Sequence, residues 1–359
     1  MRVCLSMIVK NEAPVIERCL KSVRPWIDAW AISDTGSTDG TQDIVRRCMA
    51  GLPGELIERP WVDFATNRNE ALELAKRYAD YALVIDADEV LEADPFFVWG
   101  PTTAPGYMLE IVYGDLVYRR VAMPRLDAGW RWEGVLHEAL VSPQLADVGF
   151  LKGLRIRVYT DGARSRQTPQ QKFGHDAEVL RAALEKEPEN ARYAFYYAQS
   201  LRDAGDLPSA LAAYERRIAM GGWAEEVYFS KFQLGVLKER LNFPYAEVVA
   251  AYLDACDFRP TRAESPCELA RYFRLNQRWH LARHFAQIAA SLPITNDVLF
   301  IDRAVHDWRA RDEWAIAAYW CGDRAESARL SRELLADPRL PAAERERVEK
   351  NLGFATAAS

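Results

Sequence analysis

Apolar residues recur with two different periods along this chain, and the change comes near residue 165. Before that point, short apolar runs at Val3–Val9 and at residues 30–33, 55–58 and 82–85 read as extended segments. Between them, residues 15–24, Thr41–Met49 and residues 66–78 space their apolar side chains three and four apart, as one buried face of a helix requires. Strands alternating with helices predict a parallel sheet with crossover helices. The pattern then becomes strictly alternating at 107–113 and 116–123, around Gly114-Asp115, which predicts a hairpin. Short extended pieces follow at 149–159.

Beyond residue 165 only the helical period continues. Small and apolar residues return in pairs at a spacing near 36 residues: Ala198, Gly205-Asp206 and Ala210-Leu211; Leu234-Gly235 and Tyr245-Ala246; Leu269-Ala270 and Leu281-Ala282; then, after a longer connection, Ala317-Ala318, Gly322-Asp323 and Ala328. This predicts degenerate tetratricopeptide-like helix pairs, with small residues where helices cross closely. The expected organisation is an α/β domain over 1–165 and an all-α solenoid over 166–359. The solenoid either shapes an acceptor site or buttresses the first domain.

With 359 residues, 49% hydrophobic and 27% charged, the chain has material for two cores. A formal net charge of −6 argues against a nucleic-acid or anionic-membrane binder. The run Val3–Val9 is too short to span a membrane and lacks a cleavage signature after it, and no other stretch approaches a span. Six cysteines without CxxC spacing predict buried free thiols and a cytoplasmic location.

The chemistry concentrates at predicted strand ends, where open α/β sheets bind ligands. The run at 82–85 ends in Asp86-Ala87-Asp88-Glu89. Two crowded carboxylates need a cation, and Mg²⁺ or Mn²⁺ suits oxygen ligands and accompanies substrate phosphates. Lys10-Asn11-Glu12 follows the first strand, and Asp34-Thr35-Gly36-Ser37-Thr38-Asp39-Gly40-Thr41 the second; glycines there permit a tight turn and close backbone approach. Phe64-Ala65-Thr66-Asn67-Arg68-Asn69 opens a helix and places Arg68 for a base, a phosphate or a neighbouring carboxylate such as Asp34. Some fifty residues after the paired aspartates, Arg125 and the segment 130–138 supply Trp132, a sugar or base platform, His137, a further metal ligand, and Glu138 or Glu133, a general base. His137-Glu138 begins like a zinc-protease motif, but Ala139-Leu140-Val141 follows with no second histidine. His280 and His284 share a helix face without an acidic or thiol partner and are assigned no role.

Together, Met7-Ile8-Val9-Lys10-Asn11-Glu12, Asp34 through Thr41, Phe64 through Asn69 and Asp86-Ala87-Asp88-Glu89 resemble glycosyltransferase family two, with its GT-A fold. The resemblance covers about the first 140 residues. The whole chain is similar to a subgroup in which a compact GT-A domain precedes tetratricopeptide-like repeats. It implies a nucleotide diphosphate sugar donor, with UDP the expected carrier, a divalent ion, and inversion at the anomeric carbon. By the same resemblance, Val9, Asn11, Glu12, Asp34, Gly36, Ser37, Arg68, Asp86, Ala87, Asp88 and Trp132 would line the donor site. Asp34 would face the base, Asp88 would bind the metal with Asp86 beside it, and His137 would complete the metal site. The family's usual late acidic pair is absent, which leaves Glu138 first and Glu133 second as base. A peptide or protein is the acceptor the repeats suggest. Two rivals are an inactive, transferase-like repeat scaffold and an aspartate-based phosphatase; the latter needs its paired aspartates on the first strand, whereas here they come late.

Overall fold

The structure is a computed structural model that describes residues 1–100, 102–114, 116–163, 167–297 and 299–357, with residues 116 and 117 as backbone only. The chain divides into two compact units, residues 1–186 and 187–359.

The first unit begins with a parallel sheet. Its strands are β1 (Val3–Val9), β2 (Ala29–Asp34), β3 (Gly54–Glu58) and β4 (Tyr81–Val84), arranged β3-β2-β1-β4. Helices α1 (Ile16–Val23), α2 (Thr41–Met49) and α3 (Phe64–Ala75) make the crossovers. Side chains alternate across β1: Leu5, Met7 and Val9 enter the larger core with Ile16, Leu20, Ile32, Val45 and Leu83, while Cys4 faces the other way. On that second face Cys4, Ala29, Ala31 and Ala82 are small, so Leu72, Leu74 and Ala75 of α3 pack directly onto the sheet.

The chain builds outward from β1 through β2 to β3, then returns to place β4 on the other side of β1. That reversal is a topological switch point, and the crevice outside the strand ends there is where open α/β sheets take ligands. Asp34 and Asp86 therefore flank the end of β1.

A second, mixed sheet runs β5-β10-β6-β7, with β5 (Glu89–Ala93), β6 (Gly106–Tyr113), β7 (Leu116–Pro124) and β10 (Gly149–Val158). The expected hairpin is β6–β7, paired Tyr113 to Leu116; Asp115 of its turn lies outside the described residues. A small hairpin, β8 (Arg131–Glu133) with β9 (Ala139–Val141), begins in the segment 130–138 that the sequence marked only for its chemistry and ends just after it. Helix α4 (Pro169–Lys186) closes the unit.

The expected boundary at 165/166 falls on residues outside the described ones. The loss of strand period marks where the sheet ends. The compact units instead separate a helix later, at the turn holding Pro188 before Asn190 caps the next helix.

In the second unit, α5 (Ala191–Ala204) with α6 (Leu207–Ala219), α7 (Ala224–Arg240) with α8 (Tyr245–Phe258), α9 (Glu264–Leu275) with α10 (Trp279–Ser291) and α11 (Ala310–Trp320) with α12 (Arg324–Ala336) are successive tetratricopeptide-like pairs, followed by α13 (Ala342–Thr356). Asn190, Asp206 and Asp323 each cap a helix through a side-chain oxygen, and Gly205, at φ 91°, ends α5 in the left-handed conformation. Gly235 shows why small residues recur: a Cβ there would lie 2.5 Å from the Tyr252 ring. The longer connection after α10 is tied down by Arg262, 1% exposed, which pairs with Glu264 and Asp297 and donates to the carbonyls of Leu299 and Phe300. His280 and His284 are exposed, but His280 has a thiol neighbour that the sequence pattern did not show, Cys321 Sγ at 3.6 Å from its Nδ1.

Candidate active site

The first two strand-end loops are laced together by their own motif residues. Asn11 sits in the left-handed region, φ 59°, where a non-glycine residue needs local support. It has that support: its N–H donates to Ser37 Oγ at 2.9 Å, and its Oδ1 accepts the Thr38 N–H at 2.9 Å. The Glu12 N–H donates to Thr41 Oγ1 and the Ala13 N–H to Asp39 Oδ2. The Val9 carbonyl accepts both the N–H and the hydroxyl of Thr35. Asn11 and Ser37, expected at the nucleotide, thus also join the two loops. Val9 and Ala87 are buried in the larger core.

Asp34 is different. It is 1% exposed, at the end of β2, and its Oδ1 accepts the N–H groups of Gly36 (2.9 Å) and Ser37 (2.8 Å). Gly36 takes φ 103°, which closes this turn. The other oxygen, Oδ2, is buried and has no hydrogen-bond partner among the described residues. A buried acceptor left unmatched in this way favours a donor group arriving from outside.

At the end of β4 the turn 86–89 closes on itself: the Asp86 N–H donates to Glu89 Oε2 at 2.9 Å and the Glu89 N–H to the Asp86 carbonyl at 3.0 Å. Glu89 is buried and bonded to Arg120 of β7 at 2.6 Å. Burial, then the Asp86 charge, pushes the Glu89 carboxyl above its usual range despite Arg120. For Asp86, burial pulls upward too, but Arg68 and Arg120 outweigh it and the net direction is down. Asp88 is raised by burial and then by the neighbouring Asp86 and Asp161 charges.

Arg68 of α3 organises what lies above this turn. Nη2 donates to Asp86 Oδ1 and Nε to Glu138 Oε1, both at 2.8 Å, and the guanidinium sits 5.0 Å over the Trp132 ring. Asp63 caps α3 by accepting the Thr66 N–H. Fully buried Asn67 holds the incoming loop through Val62 N and the Pro60 carbonyl. Asn69 clamps the Trp132 backbone at both N–H and carbonyl, 2.8 and 2.9 Å. That clamp brings the β8–β9 hairpin, and with it Glu138, onto α3. Arg68 therefore serves Asp86 and Glu138 and not Asp34. Trp132 presents its ring to Arg68. Glu133 is exposed and paired with Arg131, while Arg125 pairs with Asp127 and the Thr103 carbonyl, away from these carboxylates.

His137 is exposed in the turn between β8 and β9, also left-handed at φ 52°. Among the described residues no three His, Cys, Asp or Glu side chains gather to hold an ion unaided. Asp86, Asp88 and His137 are thus not a preformed triad. The physical reason is that Asp86 is drawn to Arg68, while His137 stands on an exposed loop.

The sequence reading missed Glu89 and Arg120 as partners of the turn, Asn69 as its clamp, and Arg18, Asp161 and Gly162 beside Asp88. Arg119-Arg120 inside an otherwise apolar alternating strand was the available signal for one of them.

Residues 4–96 match the model of glycosyl transferase family 2. That span covers the strand-end motifs and stops short of the β8–β9 hairpin. A TPR repeat-containing protein of Synechococcus elongatus is 41% identical over 95 residues, 26% of this chain and 22% of the relative. The SPbeta prophage-derived glycosyltransferase SunS of Bacillus subtilis is 25% identical over 209 residues, 54% of this chain and 48% of the relative. The chain thus spans half or less of the curated relatives it matches. Among solved structures, YrrB, described as a TPR protein with an unusual peptide-binding site, is 19% identical and covers 50% of this chain and 82% of its own, with a TM-score of 0.39.

Proposed function

With a glycosyl transferase family 2 domain at its N-terminus, we propose that this chain is a metal-dependent, inverting glycosyltransferase using a nucleotide diphosphate sugar, UDP being the expected carrier. One observation carries the reading. Across the switch point of the parallel sheet stand an unmatched buried acceptor, Asp34 Oδ2, and a crowded carboxylate, Asp88. The first suits the N–H of a nucleobase, and the second suits a cation carrying a diphosphate.

The residues present fit such an ion. Mg²⁺ usually binds through one or two carboxylates plus substrate phosphates, without an all-protein cage. Asp88 would be the main ligand. Asp86, largely neutralised by Arg68, would lie beside it, and His137 would join from the loop that Arg68 and Glu138 tie to the strand end. When bound, the ion would supply positive charge to the leaving diphosphate.

The protein's own groups would do the rest. An acceptor hydroxyl or thiol attacks the anomeric carbon as its bond to the diphosphate oxygen breaks, and a carboxylate takes the acceptor proton. Glu138 remains the first choice, because Arg68 holds its Oε1 and so fixes the carboxylate beside the strand end. Glu133 is the second. Trp132 and Arg68 form the wall beside them.

The helical unit would shape or dock a peptide or protein acceptor. A cytoplasmic location accords with six free thiols, and no helix among the described residues is long and apolar enough to cross a membrane. The test is nucleotide release from a panel of uridine, guanosine and thymidine diphosphate sugars with Mn²⁺, with and without chelator. Donor-selective, chelator-sensitive release that Asp88→Ala abolishes is expected. Equal release by Asp88→Ala would overturn the reading. Absence of both release and nucleotide binding would instead favour the inactive scaffold.

A further inference from the structure

After β10 the chain turns back over Asp88. The Tyr159 N–H donates to the Asp88 carbonyl at 3.2 Å. Arg18, on α1, lies 4.2 Å over the Tyr159 ring and grips Asp161 with two bonds, 2.8 Å from Nη1 and 2.7 Å from Nη2. Its Nη2 also reaches the Asp88 carbonyl at 3.3 Å. The Ala163 N–H donates to Glu12 Oε2 at 3.0 Å.

Gly162 lies between these anchors, pressed on the Asp88 side chain. A Cβ at this position would stand 2.7 Å from Asp88 Oδ2 and 3.1 Å from both its Cβ and Cγ. There is no room for a methyl group on that side of the carboxylate. An octahedral ion needs its oxygens at about 2.0–2.1 Å and further ligands beyond, so it cannot share that side with Gly162. The closed arrangement is also imperfect: Arg18 Nε is buried without an acceptor among the described residues, a cost that opening can relieve.

We propose that residues 159–163 form a strap that must leave Asp88 before a metal–diphosphate group binds, with Arg18–Asp161 as its latch. The inference rests on the donor-site reading above. If only the open fraction is competent, apparent affinity is lowered by that fraction, and loosening the strap raises it.

The experiment uses the full chain, with Mn²⁺ and UDP as probe, by calorimetry. Asp161→Asn cuts the latch at nearly constant volume. Ala163→Pro removes the donor to Glu12 without touching the latch. Each is expected to bind the probe about two- to fivefold tighter than the parent, the scale of one partly exposed contact. Hydrogen exchange at Gly162 and Ala163 of the parent is expected to quicken when the probe binds. Unchanged or weaker binding in both variants, with the parent still binding, overturns the strap while leaving the donor site standing. No binding by the parent or either variant overturns the donor-site reading, and the strap with it.

Discussion

Arg68 and Glu138 meet in a 2.8 Å ion pair although seventy residues separate them, and the same guanidinium holds Asp86. The Arg68 side chain is only 11% exposed, so the three charges depend on one another. Arg68→Ala takes this partner from a partly exposed carboxylate, Asp86, and a mostly shielded one, Glu138. We expect a loss of about 2–3 kcal/mol, below the range for fully buried pairs because Asp86 is partly open to solvent. Arg68→Lys keeps the charge but cannot bridge two carboxylates with a planar fork, so an intermediate loss is expected. Urea unfolding of both variants checks this; an unshifted midpoint for Arg68→Ala would show that the bridge adds nothing.

Asp34→Asn separates a structural from a binding role. An asparagine oxygen can still accept from Gly36 and Ser37, so stability should fall by no more than about 1 kcal/mol. Its amide would put a donor where the unmatched Oδ2 now lies. Titration with UDP and Mn²⁺ should show affinity falling about tenfold or more, the scale of a charged hydrogen bond.

Asp88→Ala and Glu138→Gln should differ in kind. The first should remove chelator-sensitive nucleotide binding while the fold persists. The second should leave that binding near the parent value and lower turnover by about 10²–10⁴-fold, as expected on losing a general base. Nucleotide affinity and donor turnover, measured on both variants, distinguish them. If Glu138→Gln keeps full turnover, the base lies elsewhere, with Glu133→Gln the next variant to measure.

The second unit makes its own prediction. Hydrogen bonds from Arg259, then Arg262, hold Asp297 down at about 2. A carboxyl depressed in the folded state lends stability above its unfolded value, near 4, and loses it as pH falls through the folded value. About 2 kcal/mol should therefore disappear between roughly pH 4 and pH 2, and Asp297→Asn should flatten that region of the profile. Arg262→Ala strands Glu264 in a buried site, while Asp297 keeps Arg259, and should cost about 3–5 kcal/mol. Chemical denaturation across pH measures both.

Local pattern made much of this protein legible before any coordinates. The strands β1, β2 and β4, the helix α2 to its end residues, the β6–β7 hairpin and four helix pairs follow from periods of 2 and 3.6, which are properties of neighbouring residues. The carboxylates at the strand ends were equally visible, because the strands preceding them place them there. Partner choice was not visible. Asn11 and Ser37, expected at a ligand, also bond to each other, since only the fold sets the β1 and β2 loops side by side. Arg68 finds Glu138 and not Asp34, because Asn69 clamps the Trp132 backbone and swings the hairpin onto α3. Gly162 reads as an ordinary loop glycine until it is found against Asp88. Amino-acid order dictates the elements and the charges they carry. Which charge meets which is decided by chain segments tens of residues apart, and only their packing in three dimensions settles it.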